Sequence, residues 1–524
     1  MNNSDAGVSA QGDLILKSWD RDKIISWSIL LLAAIFRFFA LSIKPPHGDE
    51  GVNGLFVNLL WENGYYRYDP TNYHGPLLYY LLQISEKIFG FGIHSFRIVT
   101  ASFSLLTVWL TLELRGILGR YGSYFAALAL AVSPGMIFFG RSAIHEALFV
   151  FFQVLWIMGF LKLRESMDRQ GLQWFLIGLL GCVLLKETFV ILGISFVMAW
   201  GWLEISPVMA GVIRNIECPP GRKSAEFSMS YLVKMLLVVI FIWLAFFTGF
   251  FHNWRGAKDF FVALMPWLKT GVGGAGHNKP FFHWVRLFGQ YEWVGAAGLA
   301  GAFIGVVGRS WKLRFLSLLA LVNGLIYSWI PYKTPWCIIS MLWPFIFIAG
   351  IWMEYVFDKF PRRYSPVLLS FLAVTVVMIG RSATVAYSLN FVHYADNSPY
   401  VYVQVKNDFK VIEDIVSKKI RSAPDMKNMI IQSCLKTESW PLPWFFSRFP
   451  NYRYGSSGDA LDLNADIIFT EINRIVPELS GLYVRRRIDL RESRELMDVY
   501  LKKSTFEGID LPGFEPVMVG LRIL

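Results

Sequence analysis

Five short polar clusters interrupt an otherwise apolar chain, and each holds side chains that can move a proton or bind an anion. The first is Asp49-Glu50, directly after Pro45-Pro46-His47-Gly48, a run that ends one helix and turns the backbone sharply. A carboxylate held there can take the proton from a hydroxyl or amine during a displacement. The same pair can equally be a solvated acidic start to the next helix, whose N-terminus favours negative charge. In His74-Gly75-Pro76, the imidazole can contact a phosphate or orient a carboxylate, while Pro76 suits a first helical turn. Arg141 and His145 stand four apart with Glu146 beside them, which places them on one helical face and suits either an anionic head group or a structural ion pair. Lys186-Glu187-Thr188 and Tyr332-Lys333-Thr334-Pro335 break apolar runs on one side of the chain's hydrophobic stretches. An ammonium at a membrane boundary can meet a lipid phosphate, or simply snorkel and anchor the chain. Arg97, one turn into the second span, is a further cation near that boundary, and its position by itself requires no more than snorkelling to the surface.

The elements that must position these groups are membrane spans. Of 524 residues, 54% are hydrophobic and only 17% charged, with 44 Phe and 20 Trp, too little charge for the surface of a soluble protein of this size. Apolar stretches able to cross ~30 Å of hydrocarbon as helix recur at 24–43, 96–114, 122–139, 143–161, 172–185, 188–203, 230–250, 287–307, 314–331, 336–353 and 366–388, which gives about eleven spans. The expected fold is therefore a polytopic α-helical membrane protein. The polar segment 1–17 lacks the short apolar core and cleavage site of a secretory signal, so the first span is expected to remain as an anchor.

The net charge of +11 does not point to nucleic acid, because from residue 389 onward 18 Lys+Arg balance 18 Asp+Glu and the excess lies in the loops between spans. That is the pattern of the positive-inside rule. With a cytoplasmic N-terminus, the inner loops carry Arg115 and Arg120; Lys162, Arg164 and Arg169; Arg214, Arg222 and Lys223; Arg309, Lys312 and Arg314; and Lys359, Arg362 and Arg363. The outer connections hold only isolated cations, among them Arg141, Lys186 and Lys333. All five polar clusters then face the non-cytoplasmic side, as do the long loop 252–284 and, after an odd number of spans, the tail from about 389 to 524.

Within the first outer loop, 44–95, two short amphipathic helices are expected in the membrane interface. One covers 51–63, with Val52, Leu55, Phe56, Leu59 and Leu60 on its apolar side, and the other covers 76–89. The glycine-rich stretch 271–280 lacks the GK[ST] ending of a phosphate loop and reads as a flexible outer loop. The division expected is a membrane domain, 1–388, and an extracytoplasmic α/β domain, 389–524. In the tail, 428–434 and 465–470 read as buried strands, with helical or mixed stretches at 403–420, 440–448 and 490–503. Cys182, Cys218, Cys337 and Cys434 are scattered without CxxC spacing, so neither a disulfide framework nor a metal site is expected.

An acidic pair just after the first span, His74-Gly75-Pro76 ahead of the second interfacial helix, Arg97, and a span ending in Ser133-Pro134 and Arg141 resemble the GT-C glycosyltransferases. The similar groups are the protein O-mannosyltransferases, the lipid A aminoarabinose transferases and related bacterial transferases. The segments DEGVNG, YRYDPTNYHGPLLYY, KET, YKTPW, SPYVYVQ and WPLPWFF are similar to a branch found in archaeal N-glycosylation loci as flippase-associated proteins. The resemblance implies a polyprenyl-phosphate sugar as donor and an inverting displacement on the outer face of the membrane; members of the fold differ in metal use, and with no ligand cluster in the sequence no further cofactor is expected. It implies Asp49 as base with Glu50 as its neighbour in the acidic motif, His74 near the donor and Lys333 as a phosphate contact. Arg97, Arg141, His145, Lys186 and Glu187 complete the expected substrate-binding set. The expected partners are the lipid-linked sugar, a glycan, lipid or protein acceptor, and membrane lipids. A different class of function is a non-enzymatic factor that moves or presents lipid-linked glycans; paired inverted halves, which transporters often show, are not evident in the sequence.

Overall fold

The structure, a computed structural model, describes residues 5–209 (side chains 21–205), 225–273, 277–360, 365–394, 398–401, 405–436, 439–472, 474, 477–491 and 496–517. Of the inner-loop cations, Arg214, Arg222, Lys223, Arg362 and Arg363 lie outside the described residues, as do positions 274–276 of the glycine-rich loop. The chain forms two compact units.

The first unit comprises Met1–Leu41, Arg67–Leu81 and Ser95–Val392. Each of the apolar stretches read from the sequence is helical. Among the described residues, Ile93–Leu112, Glu146–Ser166, Met229–Phe247, Pro335–Lys359 and Pro366–Val392 are long and apolar enough to cross a membrane, and Arg120–Val132 with Pro134–Gly140 adds one more if that pair, bent by 57°, is a single span. Two stretches expected to be continuous are broken. The run 122–139 bends at Ser133, because Pro134 cannot donate the next helical hydrogen bond, and the run 287–307 breaks at Glu292. The breaks meet: Ser133 Oγ donates to Glu292 Oε2 at 2.9 Å and the Gly135 amide donates to Oε1 at 2.6 Å.

Inner-loop cations gather at one end of this unit. Arg115 and Arg120 both pair with Asp22, and Lys312 reaches Glu165 and the Gly116 carbonyl. The helix Glu146–Ser166 carries Glu146 at its start and Glu165 in its last turn. At 1.5 Å per residue these lie about 28 Å apart, so the cations assigned to the inner loops and the clusters beginning at Glu146 occupy opposite ends.

The second unit comprises Ser42–Tyr66, Leu82–His94 and His393–Leu524. The change of unit expected at 388/389 falls at 392/393, and parts of the first outer loop belong with the tail. Its strands are β1 (Ile430–Cys434), β2 (Asn451–Gly455), β3 (Ile467–Glu471), β4 (Tyr483–Asp489), β5 (Leu496–Lys502) and β6 (Glu515–Pro516), in the order β2-β1-β3-β5-β4-β6. β1 runs parallel to β2 and β3, while β5 is antiparallel to β3 and β4, and β6 to β4. The helix Asp408–Ser422 covers one face, adding Phe409, Ile412, Ile415 and Val416 to a core with Ile431, Phe469, Val499 and Leu501.

The stretch 490–503, read as helical or mixed, instead supplies β5. Met497, Val499 and Leu501 enter that core while Tyr500 enters the cluster on the opposite face, the two-residue alternation of a strand. The helix Gly48–Asn63 forms as expected: on its apolar side Leu59 is 40% exposed and Val52, Leu55 and Phe56 are partly exposed, as an interfacial helix requires, while Gly51, Asn53, Gly54, Val57, Asn58 and Leu60 are buried. Missing side chains allow the opposite side to pack. A Cβ on Gly51 would lie 2.9 Å from Pro441 Cβ, and one on Gly54 would strike the Trp444 indole. The glycines thus let the short helix Leu442–Phe446 approach closely, and Asn58 Nδ2 donates to the Trp444 carbonyl at 3.0 Å. The second expected helix, Leu77–Phe89, leaves Ile84, Ile88 and Phe89 exposed, as an interfacial helix requires.

Candidate active site

The clusters around His74, His145 and Lys186 come together within the first unit. The Gly75 amide donates to the Leu185 carbonyl at 3.0 Å and the Leu77 amide to the Leu184 carbonyl at 3.1 Å, stitching the His74-Gly75-Pro76 turn to the turn before Lys186. A Cβ at Gly75 would collide with the Leu184 carbonyl, so the contact depends on glycine. Tyr73, ahead of the histidine, takes a left-handed φ of 48° and is steadied by Tyr68, whose hydroxyl donates to its carbonyl at 3.0 Å.

His74 Nδ1 then lies 2.9 Å from Glu187 Oε2, and the His74 and His145 rings are 4.7 Å apart between centroids. Tyr79 meets His145 edge-on at 5.6 Å. Glu146, the first residue of its helix, pairs through Oε1 with Lys186, both side chains buried. Burial alone would push the Lys186 ammonium down, yet Glu146, with Cys337, Glu187 and Tyr327, holds it well above the ordinary lysine range. His145 is 3% exposed, and among the described residues its Nε2 has no hydrogen-bond partner. An unpaired buried nitrogen costs about 1–3 kcal/mol, so a ligand that satisfies it is favoured.

The remaining expected residues are held by other contacts. Lys333 is buried and donates to the carbonyls of Ile330 and, at 3.3 Å, Lys279; burial moves its ammonium below the ordinary range. Beside it, burial together with Lys279, Lys333 and Arg286 pushes the His283 imidazole down to about 4. The sequence reading missed this cationic group, although Lys279, His283 and Arg286 recur at helical spacing.

Arg141 and His145 do not share a helical face. Residues 141–145 form a turn, and Arg141 caps the helix Pro134–Gly140, donating to the carbonyls of Phe36, Arg37, Phe39 and Ala40 at 2.7–3.1 Å. Those carbonyls end the first helix and have no partners within it, so the guanidinium satisfies them. Arg97 does not snorkel: it is fully buried and donates to the Leu41 carbonyl at 3.1 Å. Arg37, absent from the expected set, is buried the same way, bridging Ser104 Oγ and the Leu130 and Ala131 carbonyls.

Asp49 and Glu50 belong to the second unit and begin the helix Gly48–Asn63. Glu50 is fully buried, and its Oε2 accepts the His47 amide at 2.7 Å, while His47 Nδ1 accepts the Asp49 amide at 3.1 Å. This reciprocal cap fixes the loop. Glu50 is thereby engaged in the turn, and Asp49 is partly exposed beside it. Among the described residues, no group of three or more His, Cys, Asp or Glu is arranged to hold a metal ion.

Residues 73–217 match the family model described as dolichyl-phosphate-mannose-protein mannosyltransferase. That region contains His74, Arg97, Arg141, His145, Lys186 and Glu187 but neither Asp49 nor Lys333. No curated protein matches the sequence significantly. The fold is similar to the crystal structure of ArnT from Cupriavidus metallidurans bound to undecaprenyl phosphate, with a TM-score of 0.61 and 12% identity over 91% of this chain and 98% of that one. The apo form of the same protein gives a TM-score of 0.55 at 12% identity, over 95% of this chain and 99% of that one. The family match covers 145 of the 524 residues, and the two structures show a shared fold along nearly the whole chain.

Proposed function

We propose that this protein transfers a sugar from a polyprenyl-phosphate carrier to an acceptor on the outer face of the membrane. The observation that carries the reading is the buried cluster of Glu187, His145, Glu146 and Lys186, with part-buried His74 against it, at one end of the helical unit. So many ionisable groups out of water are costly unless they serve a site. The ArnT structure was obtained with undecaprenyl phosphate, a ligand that joins a phosphate to a long apolar tail. A helical bundle with polar groups at one end suits a ligand of that build.

In the proposed reaction the acceptor oxygen forms a bond to the anomeric carbon as the bond from that carbon to the carrier phosphate breaks. The phosphate leaves with the electron pair, and Asp49 takes the acceptor's proton, so the configuration inverts. Lys186, His74 and His145 contribute donors for the charge that develops on the leaving phosphate. Lys333 and its neighbours Lys279 and Arg286 add positive potential at their loop. Arg97 and Arg141, engaged with backbone carbonyls, act as positioning residues, and Glu50 holds the turn that presents Asp49. The asymmetry of loop charge supports an outward-facing site.

The test is turnover of a synthetic polyprenyl-phosphate sugar by the purified protein in detergent, where there is no bilayer to cross. Release of polyprenyl phosphate is expected, and Asp49→Asn should abolish it while the protein still inserts and folds. Movement of lipid-linked glycan in proteoliposomes without chemical turnover would favour a translocation factor instead. Full activity in Asp49→Asn would remove that residue from the mechanism.

A further inference from the structure

The second unit contains a cavity of about 430 Å³ whose lining includes Asn58, Trp61, Glu62, Glu86, Phe91 and Arg448. That volume lies in the range of roughly 300–1,000 Å³ usual for small-molecule sites. Its polar groups are held by one another. Glu86, 5% exposed, is paired through Oε1 with Arg448 Nη1 at 2.6 Å, and its Oε2 accepts from Trp61 Nε1 at 3.1 Å. Arg448 Nε donates to Asn58 Oδ1 at 2.7 Å, and its guanidinium lies 4.3 Å from the centre of the Phe91 ring. Asn58 in turn donates to Ser447 Oγ at 2.7 Å.

This network fixes the guanidinium with Nε and Nη1 engaged and leaves the Nη2 hydrogens without a protein partner among the described residues. Trp61 and Phe91 are 43% and 41% exposed, so two aromatic surfaces stand open beside a preset donor. The charge is balanced or slightly negative, since Glu86 matches Arg448 and Glu62 adds an exposed carboxylate. An anion gains little there. A neutral ligand with apolar C–H faces for the rings and hydroxyls for the guanidinium and carboxylate gains on both counts.

We infer that this cavity is a binding subsite for a neutral saccharide. That its occupant is the acceptor glycan rests on the transferase reading above; the binding itself does not. The experiment is saturation-transfer NMR on the purified full chain in a detergent without sugar head groups and with no donor present. The probes are mannobiose and chitobiose, with glucuronate and glycerol phosphate as anionic controls. Saturation is expected to pass to at least one neutral disaccharide, to fall at least fivefold in Trp61→Ala and in Glu62→Gln, and to be largely retained in Trp61→Phe. Glu62 is exposed, so its substitution leaves the packing intact. Failure of both disaccharides to bind, binding unchanged in Trp61→Ala and Glu62→Gln, or preferential binding of either anion would overturn the inference. Sugar binding without any transfer activity would count against the proposed reaction and leave the subsite standing.

Discussion

His74 Nδ1 meets Glu187 Oε2 at 2.9 Å, across 113 positions of sequence. With Nδ1 donating to the carboxylate, Nε2 is the nitrogen left to face a ligand, accepting when the ring is neutral and donating to a phosphate oxygen when it is protonated. Glu187 is buried and His74 only part-buried, so the carboxylate orients and the imidazole is the group open to a ligand.

Removing that orientation without removing bulk is the informative change. Glu187→Gln should lower kcat for sugar transfer about 100-fold, the low end of what a positioned acid–base group contributes, with little change in the donor's KM. His74→Ala should lose at least as much. If steady-state kinetics show Glu187→Gln at wild-type kcat, the pair is structural only.

The Lys186–Glu146 pair gives a stability prediction with a definite sign. Lys186→Met strands Glu146 in a buried site and should destabilise the protein by about 3–5 kcal/mol, whereas Lys186→Met combined with Glu146→Leu should recover much of that loss. Because the folded-state pKa of Lys186 is raised, the stability from the pair is fully present below the unfolded value of about 10.4 and is lost only as pH climbs through the higher folded value. Thermal unfolding in detergent should therefore show a gap between wild type and the double variant that stays constant from about pH 7 to pH 10. A gap that closes over that interval would contradict the assignment.

The sequence made the helices and the two families of loop charge legible because burial in lipid demands long apolar runs and the inner loops collect cations. It also singled out His74, His145, Lys186 and Glu187, since ionisable residues inside apolar runs are conspicuous. It could not show that these four are neighbours, which depends on Gly75 fitting against Leu184, nor that Arg97 and Arg141 serve carbonyls at the end of the first helix. A cation looks the same in sequence whether it faces a phosphate or a backbone. An apolar count also could not show that the other side of Gly48–Asn63 packs through Gly51 and Gly54 against Leu442–Phe446.

Glu292 shows what a single acid inside an apolar run can do. Its two oxygens accept from Ser133 Oγ and the Gly135 amide, joining the breaks of two separate helical stretches. Glu292→Leu would leave those donors unsatisfied in a buried setting and should cost about 1–3 kcal/mol per group. Glu292→Gln, which keeps an acceptor oxygen, should cost less. Chemical denaturation of the three proteins in mixed micelles would rank them; equal stability for Glu292→Leu and wild type would dismiss the bridge.

The last prediction separates packing from chemistry in the second unit. At Gly54 any side chain meets the Trp444 indole, so Gly54→Val must displace either the helix Gly48–Asn63 or the helix Leu442–Phe446. Overpacking of this kind costs roughly 1–3 kcal/mol, and the same strain would tilt the turn on which Asp49 sits, about one and a half helical turns earlier. Sugar transfer should therefore fall along with stability in Gly54→Val. Trp444→Ala, which opens space on the other side of the contact, should restore activity when combined with it. If the double variant is folded yet no more active than Gly54→Val alone, the orientation of Asp49 does not depend on this contact.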